Sequence, residues 1–207
     1  RWLAAGFSVV TANKAGIGGT LAEFRTIQAH GPRYGDAATV GAGLPLLRSL
    51  RELRAGGDHI QGLAGILSGS LAWLFNHYDG MRPFSALVRD ARQRGYTEPD
   101  PRIDLSGQDV TRKLLILARN AGVALEPEAI SVESLLPPAL AAAGPADLDA
   151  ALAALDAPLR ERFQAAHRIG RRLRYIARLD EKGGARIGLE SLPPDDPLAT
   201  GSGCDNR

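Results

Sequence analysis

The sequence predicts an α+β fold, a mixed sheet with helices packed mainly on one face. Strand-like and helix-like segments intermingle without the regular βαβ alternation of a parallel sheet. A long apolar-striped helix occupies the middle of the chain, and two strand patterns around "EKGG" form a hairpin near its end.

In chain order, "RWLAAG" reads as the last turns of a helix closed by Gly6, and "FSVVTA" as a short buried strand. "AGIGG" reads as a flexible connector. Residues 20–31 have helical spacing, with Leu21, Phe24, Ile27 and Ala29 near one face and Gly31 as the stop. "ATVGAGLP" (38–45) reads as a strand running into a glycine turn. Pro45 then opens a helix whose Leu47, Leu50, Leu53 repeat suits burial. Residues 59–67 read as a strand, 68–80 as an apolar helix with a serine cap, and 83–95 as a helix between a proline and a glycine. Residues 105–122 form the long helix. "ISVESLLP" (130–137) is a strand, "PPALAAAGPADL" a linker-like stretch, and two helices follow at about 146–155 and 158–170 before the hairpin.

The 207 residues are 44% hydrophobic and 23% charged, the balance of a globular chain with a sizeable core. Basic and acidic residues number 25 and 23, a formal charge of +2, which argues against nucleic acid as the main partner. Arginines crowd at "RIGRRLRYIAR" (168–178), and the reading there is a solvated helix end and an exposed strand face. The single cysteine, Cys204, forms no internal disulfide and fits a reducing compartment, so a cytoplasmic location is expected. No apolar run approaches the roughly 18 residues of a membrane span, and the opening lacks the pattern of a signal peptide. The chain starts without methionine and stops in a polar, glycine-containing stretch; a fragment truncated at both ends is expected.

The densest chemistry lies in "GYTEPDPRIDLSGQDVTRKL" (95–114), where Glu98, Asp100, Asp104 and Asp109 fall within twelve positions. Along the helix, Val110, Leu114, Leu117 and Ala121 share a buried stripe at about 100° per residue, with Arg112 and Arg119 opposite. Lys113 lies on the flank of that stripe, and Asp109 sits one turn before it on the same flank. Such a lysine is a candidate proton-transfer group, because burial favours the neutral amine and the aspartate the charged one; an ordinary surface pair is the alternative. Asp104 or Ser106 caps the helix, or the acids, stiffened by Pro99 and Pro101, hold an ammonium group. "TANK" (11–14) ends a strand with Asn13 and Lys14, at the edge where open sheets take ligands. "GILSGS" (65–70) places small residues at a helix start, where backbone N–H groups can take a carboxylate. An ordinary turn and cap remains open for each.

Together "TANK", "TVGAGLP", "GILSGS", the acid-rich string and, more weakly, "RYIARLD" and "DPLA" resemble homoserine dehydrogenase, in the branch with "TEPDP". The resemblance covers the chain almost end to end. It implies interconversion of L-homoserine and L-aspartate 4-semialdehyde with NADP or NAD, in threonine and methionine biosynthesis. By motif position it makes Lys113 the acid/base, Asp109 its orienting partner and Lys14 a second lysine near the reacting oxygen and nicotinamide, with Asn13 beside the cofactor. It makes Glu98 and Asp104 the holders of the amino group, and Tyr96, Gly69 and Ser70 the lining of the pocket. It implies a monovalent cation, Na+ or K+, on the carbonyls of Val40, Ala42 and Leu44. Here Ala37 stands where the family has a carboxylate, and Asp36 is one residue early. Ile103 stands where the family often has a second aspartate. The resemblance further implies a homodimer, an upstream aspartokinase domain in some members, residues 1–16 as the end of a Rossmann-type dinucleotide-binding domain, and 17–207 as the substrate-binding, catalytic and dimerisation domain. No G-x-G-x-x-G lies between a strand and a helix in this chain, so the isolated chain is expected to turn over little. Aspartate-semialdehyde dehydrogenase is discounted because its nucleophilic cysteine would have to be Cys204. The competing reading is a non-catalytic dimerisation or regulatory module in which the acids are structural.

Overall fold

The computed structural model describes residues 1–201 and shows an α+β fold with a mixed sheet; Cys204 lies outside the described residues. The strands are β1 (Val9–Val10), β2 (Tyr34–Gly35), β3 (Leu63–Gly65), β4 (Ile130–Val132), β5 (Arg172–Leu179) and β6 (Ala185–Leu192). β1 and β2 form a parallel pair in the register Val9 to Tyr34 and Val10 to Gly35. The other four line up as β3-β5-β6-β4, with β5 and β6 joined by the expected tight hairpin. The helices are α1 (Leu21–Gln28), α2 (Leu46–Ala55), α3 (Gly69–His77), α4 (Phe84–Gln93), α5 (Arg102–Leu105), α6 (Gln108–Asn120), α7 (Pro138–Ala142), α8 (Leu148–Ala151) and α9 (Asp156–Arg168). None of the described helices is long and apolar enough to cross a membrane.

Two compact units interleave along the chain. The first takes Arg1–Ala64, Val110–Ser131 and Ala177–Arg186. Its helix α1 starts with a full capping box: Thr20 accepts from the Glu23 N–H, and the Glu23 carboxylate accepts from the Thr20 N–H. Arg119 is 3% exposed, although helical spacing places it opposite the core stripe. The reason is long-range. Its guanidinium donates to the carbonyls of Ile17 (3.0 Å) and Leu125 (3.0 Å), and it stands over the Phe24 ring. Burial lowers the proton affinity of Arg119, and Glu126 and Glu23 oppose that. "AGIGG" is therefore no flexible connector: Ile17 is fully buried, and its carbonyl is one of these acceptors. The strand expected at "FSVVTA" shrinks to two residues, and Val10 is exposed rather than buried. "ATVGAGLP" is not a strand. A 3-10 turn spans Ala37–Thr39, and positive φ at Gly41 and Ala42 breaks any extended run.

The second unit takes Gly65–Asp109, Val132–Ile176 and the chain from Ile187 onward. Helix α3 is buried nearly all round, as its composition predicts, and Phe84 at the start of α4 packs on Phe75 and Tyr78. The Asp156 carboxylate receives both the N–H and the hydroxyl of Ser85, so a negative charge sits at the first turn of α4. "PPALAAAGPADL" is not a linker, since it forms α7 with Leu140 fully buried. "DPLA" is a tight turn whose Ala199 packs with Ile66, Ala72, Ile176 and Leu192. β5 is buried from Leu173 to Ala177, including Arg174, so the strand is not an exposed face, whereas Arg168, Arg171 and Arg172 around the helix end are exposed as expected.

Candidate active site

The acid-rich segment folds into a fixed carboxylate. Ser68 caps α3 by accepting the Leu71 N–H (3.2 Å), and its hydroxyl contacts that of Ser70 at 2.9 Å. Ser70 donates its one proton to Asp104 Oδ1 (2.6 Å), so Ser68 must be the donor in the pair. A relay of three hydrogen bonds thus runs from the α3 cap to the Asp104 carboxylate, each polarising the next. Asp104 Oδ2 accepts the backbone N–H of Glu98 (2.9 Å), which ties the "TEP" loop to the same group. Asp104 is half-buried and keeps lone pairs for a further donor. Gly69 opens α3 beside Ser70, and its N–H belongs to the unpaired first turn of that helix.

Asp100 is a different kind of acid. Arg102 clasps it (2.6 Å) and holds its carboxyl below the ordinary range, and Arg102 also reaches the Ala143 carbonyl (2.7 Å). Asp100 is therefore structural, while Glu98 is exposed. Tyr96 is exposed too, but its ring is stacked at 5.0 Å on Trp73, which stacks on His77 at 4.3 Å, with Arg94 over the Trp73 ring. Ser68 is legible in the sequence as the cap of α3 but not as a link towards Asp104, and Trp73 does not stand out in the pattern.

The long helix expected from residue 105 divides at Gly107. α5 ends at Leu105, Gly107 takes φ +75°, and α6 begins at Gln108, whose N–H is received by the Ser106 hydroxyl (3.2 Å). Ser106, not Asp104, caps the helix. Asp109 and Lys113 follow one turn apart on α6, and both are half-buried.

In the first unit, Asn13 Oδ1 accepts the Ala15 N–H (2.8 Å) and Thr11 Oγ1 the Asn13 N–H (2.9 Å), so side chains fold the "TANK" turn around Lys14. Gly18 closes it, donating to the Lys14 carbonyl at 2.7 Å. A β-carbon at Gly18 would sit 2.7 Å from that oxygen and 3.5 Å from Arg112 Cβ on α6. Gly18→Ala should therefore displace the Lys14 backbone and cost about 1–3 kcal/mol, read as a lower urea midpoint at unchanged m-value.

The expected cation turn has a compromised donor set. Asp36 is buried and held by Arg51 through both guanidinium arms, at 2.9 and 2.5 Å. Ala37 has no donor, and the Leu44 carbonyl already accepts the Leu46 N–H (2.9 Å). The positive charge beside Asp36 is a guanidinium, so these residues do not fit a carboxylate-held Na+ or K+.

A family model described as homoserine dehydrogenase matches residues 45–207. The bifunctional aspartokinase/homoserine dehydrogenase 2 of Escherichia coli (strain K12) is 44% identical over 205 residues, covering 97% of this chain and 25% of that protein. Among solved structures, a Candida auris protein of unknown function superposes with a TM-score of 0.92 at 35% identity, covering 99% of this chain and 61% of that one. A putative homoserine dehydrogenase from Archaeoglobus fulgidus superposes with a TM-score of 0.78 at 26% identity, covering 99% and 57%. The chain thus spans about a quarter of this curated relative and under two thirds of these structures.

Proposed function

The chain belongs to the homoserine dehydrogenase family, and from that premise we propose that it supplies the substrate-binding and proton-transfer residues of an enzyme interconverting L-homoserine and L-aspartate 4-semialdehyde. The observation that carries this reading is the fixed Asp104 carboxylate, oriented by Ser70 and the Glu98 N–H. An ammonium-bearing alcohol needs such an acceptor, already positioned and charged, so that binding costs little reorganisation. Glu98 adds a second carboxylate from the loop, and Tyr96, braced by Trp73, forms a wall. Gly69 and Ser70 present the α3 start to the substrate carboxylate.

A nicotinamide cofactor, NADP or NAD, supplies the hydride chemistry when bound. The Asn13 carboxamide has its oxygen engaged by Ala15 and its NH2 left as donor, which suits the nicotinamide end beside Lys14. Residues 1–16 are read as the close of the dinucleotide-binding domain and 17–207 as the substrate and dimerisation domain. In the oxidative direction Lys113 accepts the hydroxyl proton as the aldehyde forms. In the reverse direction it returns that proton to the alkoxide oxygen. Asp109 orients the amine and Lys14 adds positive charge near the oxygen. A homodimer and an upstream aspartokinase domain complete the proposed assembly, in keeping with the fused E. coli relative.

Asp104→Ala in the intact enzyme tests the carboxylate. KM for homoserine should rise about 10- to 100-fold, the worth of a charge-assisted hydrogen bond, with a smaller change in kcat. An unchanged KM would return Asp104 to a purely structural role.

A further inference from the structure

Lys14 lies between β1 and α1, in residues that form neither helix nor strand. A lysine on such a segment explores many positions unless its backbone is fixed. Two contacts fix this one. The Gly18 N–H donates to the Lys14 carbonyl (2.7 Å), and Arg119 donates to the carbonyl of Ile17 between them (3.0 Å). The turn lies against α6: a β-carbon on Gly18 would stand 3.5 Å from Arg112 Cβ and 3.6 Å from Ile116 Cδ1. Arg112, Ile116 and Arg119, at i, i+4 and i+7, share one stripe of that helix. Lys113 is the residue after Arg112. One helix thus carries Lys113 and, on the neighbouring stripe, grips the turn that carries Lys14.

The grip needs an arginine. Nε donates to Leu125 O (3.0 Å), Nη1 to Ile17 O (3.0 Å), and Nη2 reaches Glu126 Oε2 (3.4 Å). The same Glu126 oxygen accepts the Leu21 N–H (2.9 Å), so the start of α1 is tied to the same point. A planar fork makes these bonds in fixed directions, whereas an ammonium on a flexible stem does not. The Arg119 side chain has no exposed surface, so its charge is costly to bury. An apolar side chain would fill the space without that cost, and what the guanidinium adds is the fixed placement of the turn. We propose that Arg119 is a positioning residue: through the Ile17 carbonyl it seats Lys14 against α6, and so sets its place relative to Lys113 during proton transfer. This rests on the roles proposed above for the two lysines.

Arg119→Lys in the intact enzyme, assayed well below its unfolding midpoint, keeps the charge and loses the fork. kcat should fall about 10- to 100-fold, the cost of misplacing a catalytic group by about 1 Å. KM for homoserine should change less than about threefold, because Asp104 is held by other bonds. On a Lys14→Ala background the same substitution should lower kcat less than about twofold further, since the group it places is gone. Amide exchange at residues 15–18 should quicken at least about tenfold, while α2 exchanges as in the parent. Leu47→Ala, a buried change on α2 that leaves these bonds in place, controls for lost stability and should keep turnover within about twofold. Gly18→Ala moves the Lys14 backbone without altering Arg119, and should show the same split between kcat and KM and the same coupling to Lys14→Ala. With Lys14→Ala impaired, additive losses, a loss no larger than that of Leu47→Ala, or unchanged exchange at residues 15–18 would overturn the role of Arg119 alone. Full turnover in Lys14→Ala would overturn the role of that lysine, and the role of Arg119 with it.

Discussion

Lys113→Ala in the intact enzyme is expected to lower kcat about 10²- to 10⁴-fold, the usual worth of a positioned acid/base group. The side chain is half-buried on α6, beside the fully buried Leu114 and Leu115, so the amine is held on a rigid element rather than a mobile loop. Asp109, one turn earlier on the same helix, is placed to restrain it. Because α6 draws its stability from the apolar stripe, removing one half-buried amine should leave the unfolding midpoint within about 0.5 kcal/mol of the parent. Catalysis and stability therefore separate. Two readouts distinguish a proton-transfer role from a positioning one: KM for homoserine should change far less than kcat, and small primary amines should restore part of the rate. Arg112→Ala, one residue away and exposed, is the control and should turn over normally. Full activity in Lys113→Ala would favour the reading in which the acids of this segment are structural and the chain is a dimerisation or regulatory module.

Local pattern carried the elements whose causes are local. The Ser68 cap, the proline and glycine that bracket α4 and the β5–β6 hairpin each follow from residues within a few positions. Misreadings arose where a distant group decides. Arg119 looks solvated by helical spacing, yet Ile17, 102 positions away, supplies its carbonyl. Arg174 alternates correctly for a strand but is drawn inward by Phe75 and Ala199. In "ATVGAGLP" the glycines signal the turn, but the β-branched residues suggest a strand before it, where the chain instead makes a 3-10 turn at Ala37–Thr39. The candidate site divides in the same way. Periodicity alone placed Lys113 and Asp109 on one flank of a helix. The Ser70–Asp104 bond spans 34 positions; the resemblance to homoserine dehydrogenase assigns both residues to one pocket but does not pair them. The same resemblance drew attention to Asp36, whose actual partner, Arg51, has no signature in the turn itself.

Gly107→Ala should be the most damaging small substitution in the acid-rich segment, at about 2–5 kcal/mol. Two costs combine. The backbone at Gly107 has φ +75°, which costs a residue with a β-carbon about 1–2 kcal/mol. The added methyl would also collide with the Tyr175 hydroxyl. That hydroxyl cannot move freely, because it donates to the Glu133 carbonyl at 2.8 Å, and burial, with Glu133 adding, pushes the phenol well above its ordinary range and keeps it protonated. Displacing it leaves the buried Tyr175 hydroxyl unpaired, worth about 1–3 kcal/mol. Tyr175→Phe should cost about the same when made alone, but it also removes the atom that the new methyl strikes. The two substitutions should therefore be less than additive, with a coupling of about 1 kcal/mol or more, measured by urea unfolding of the intact protein. Strict additivity would mean that Tyr175 does not brace the turn. Since Gly107 separates Asp104 from Asp109, Gly107→Ala should also raise KM for homoserine and lower kcat together, whereas Lys113→Ala acts mainly on kcat. Movement of both parameters identifies this glycine as the hinge that sets one acid on the substrate and the other on the helix of the lysine.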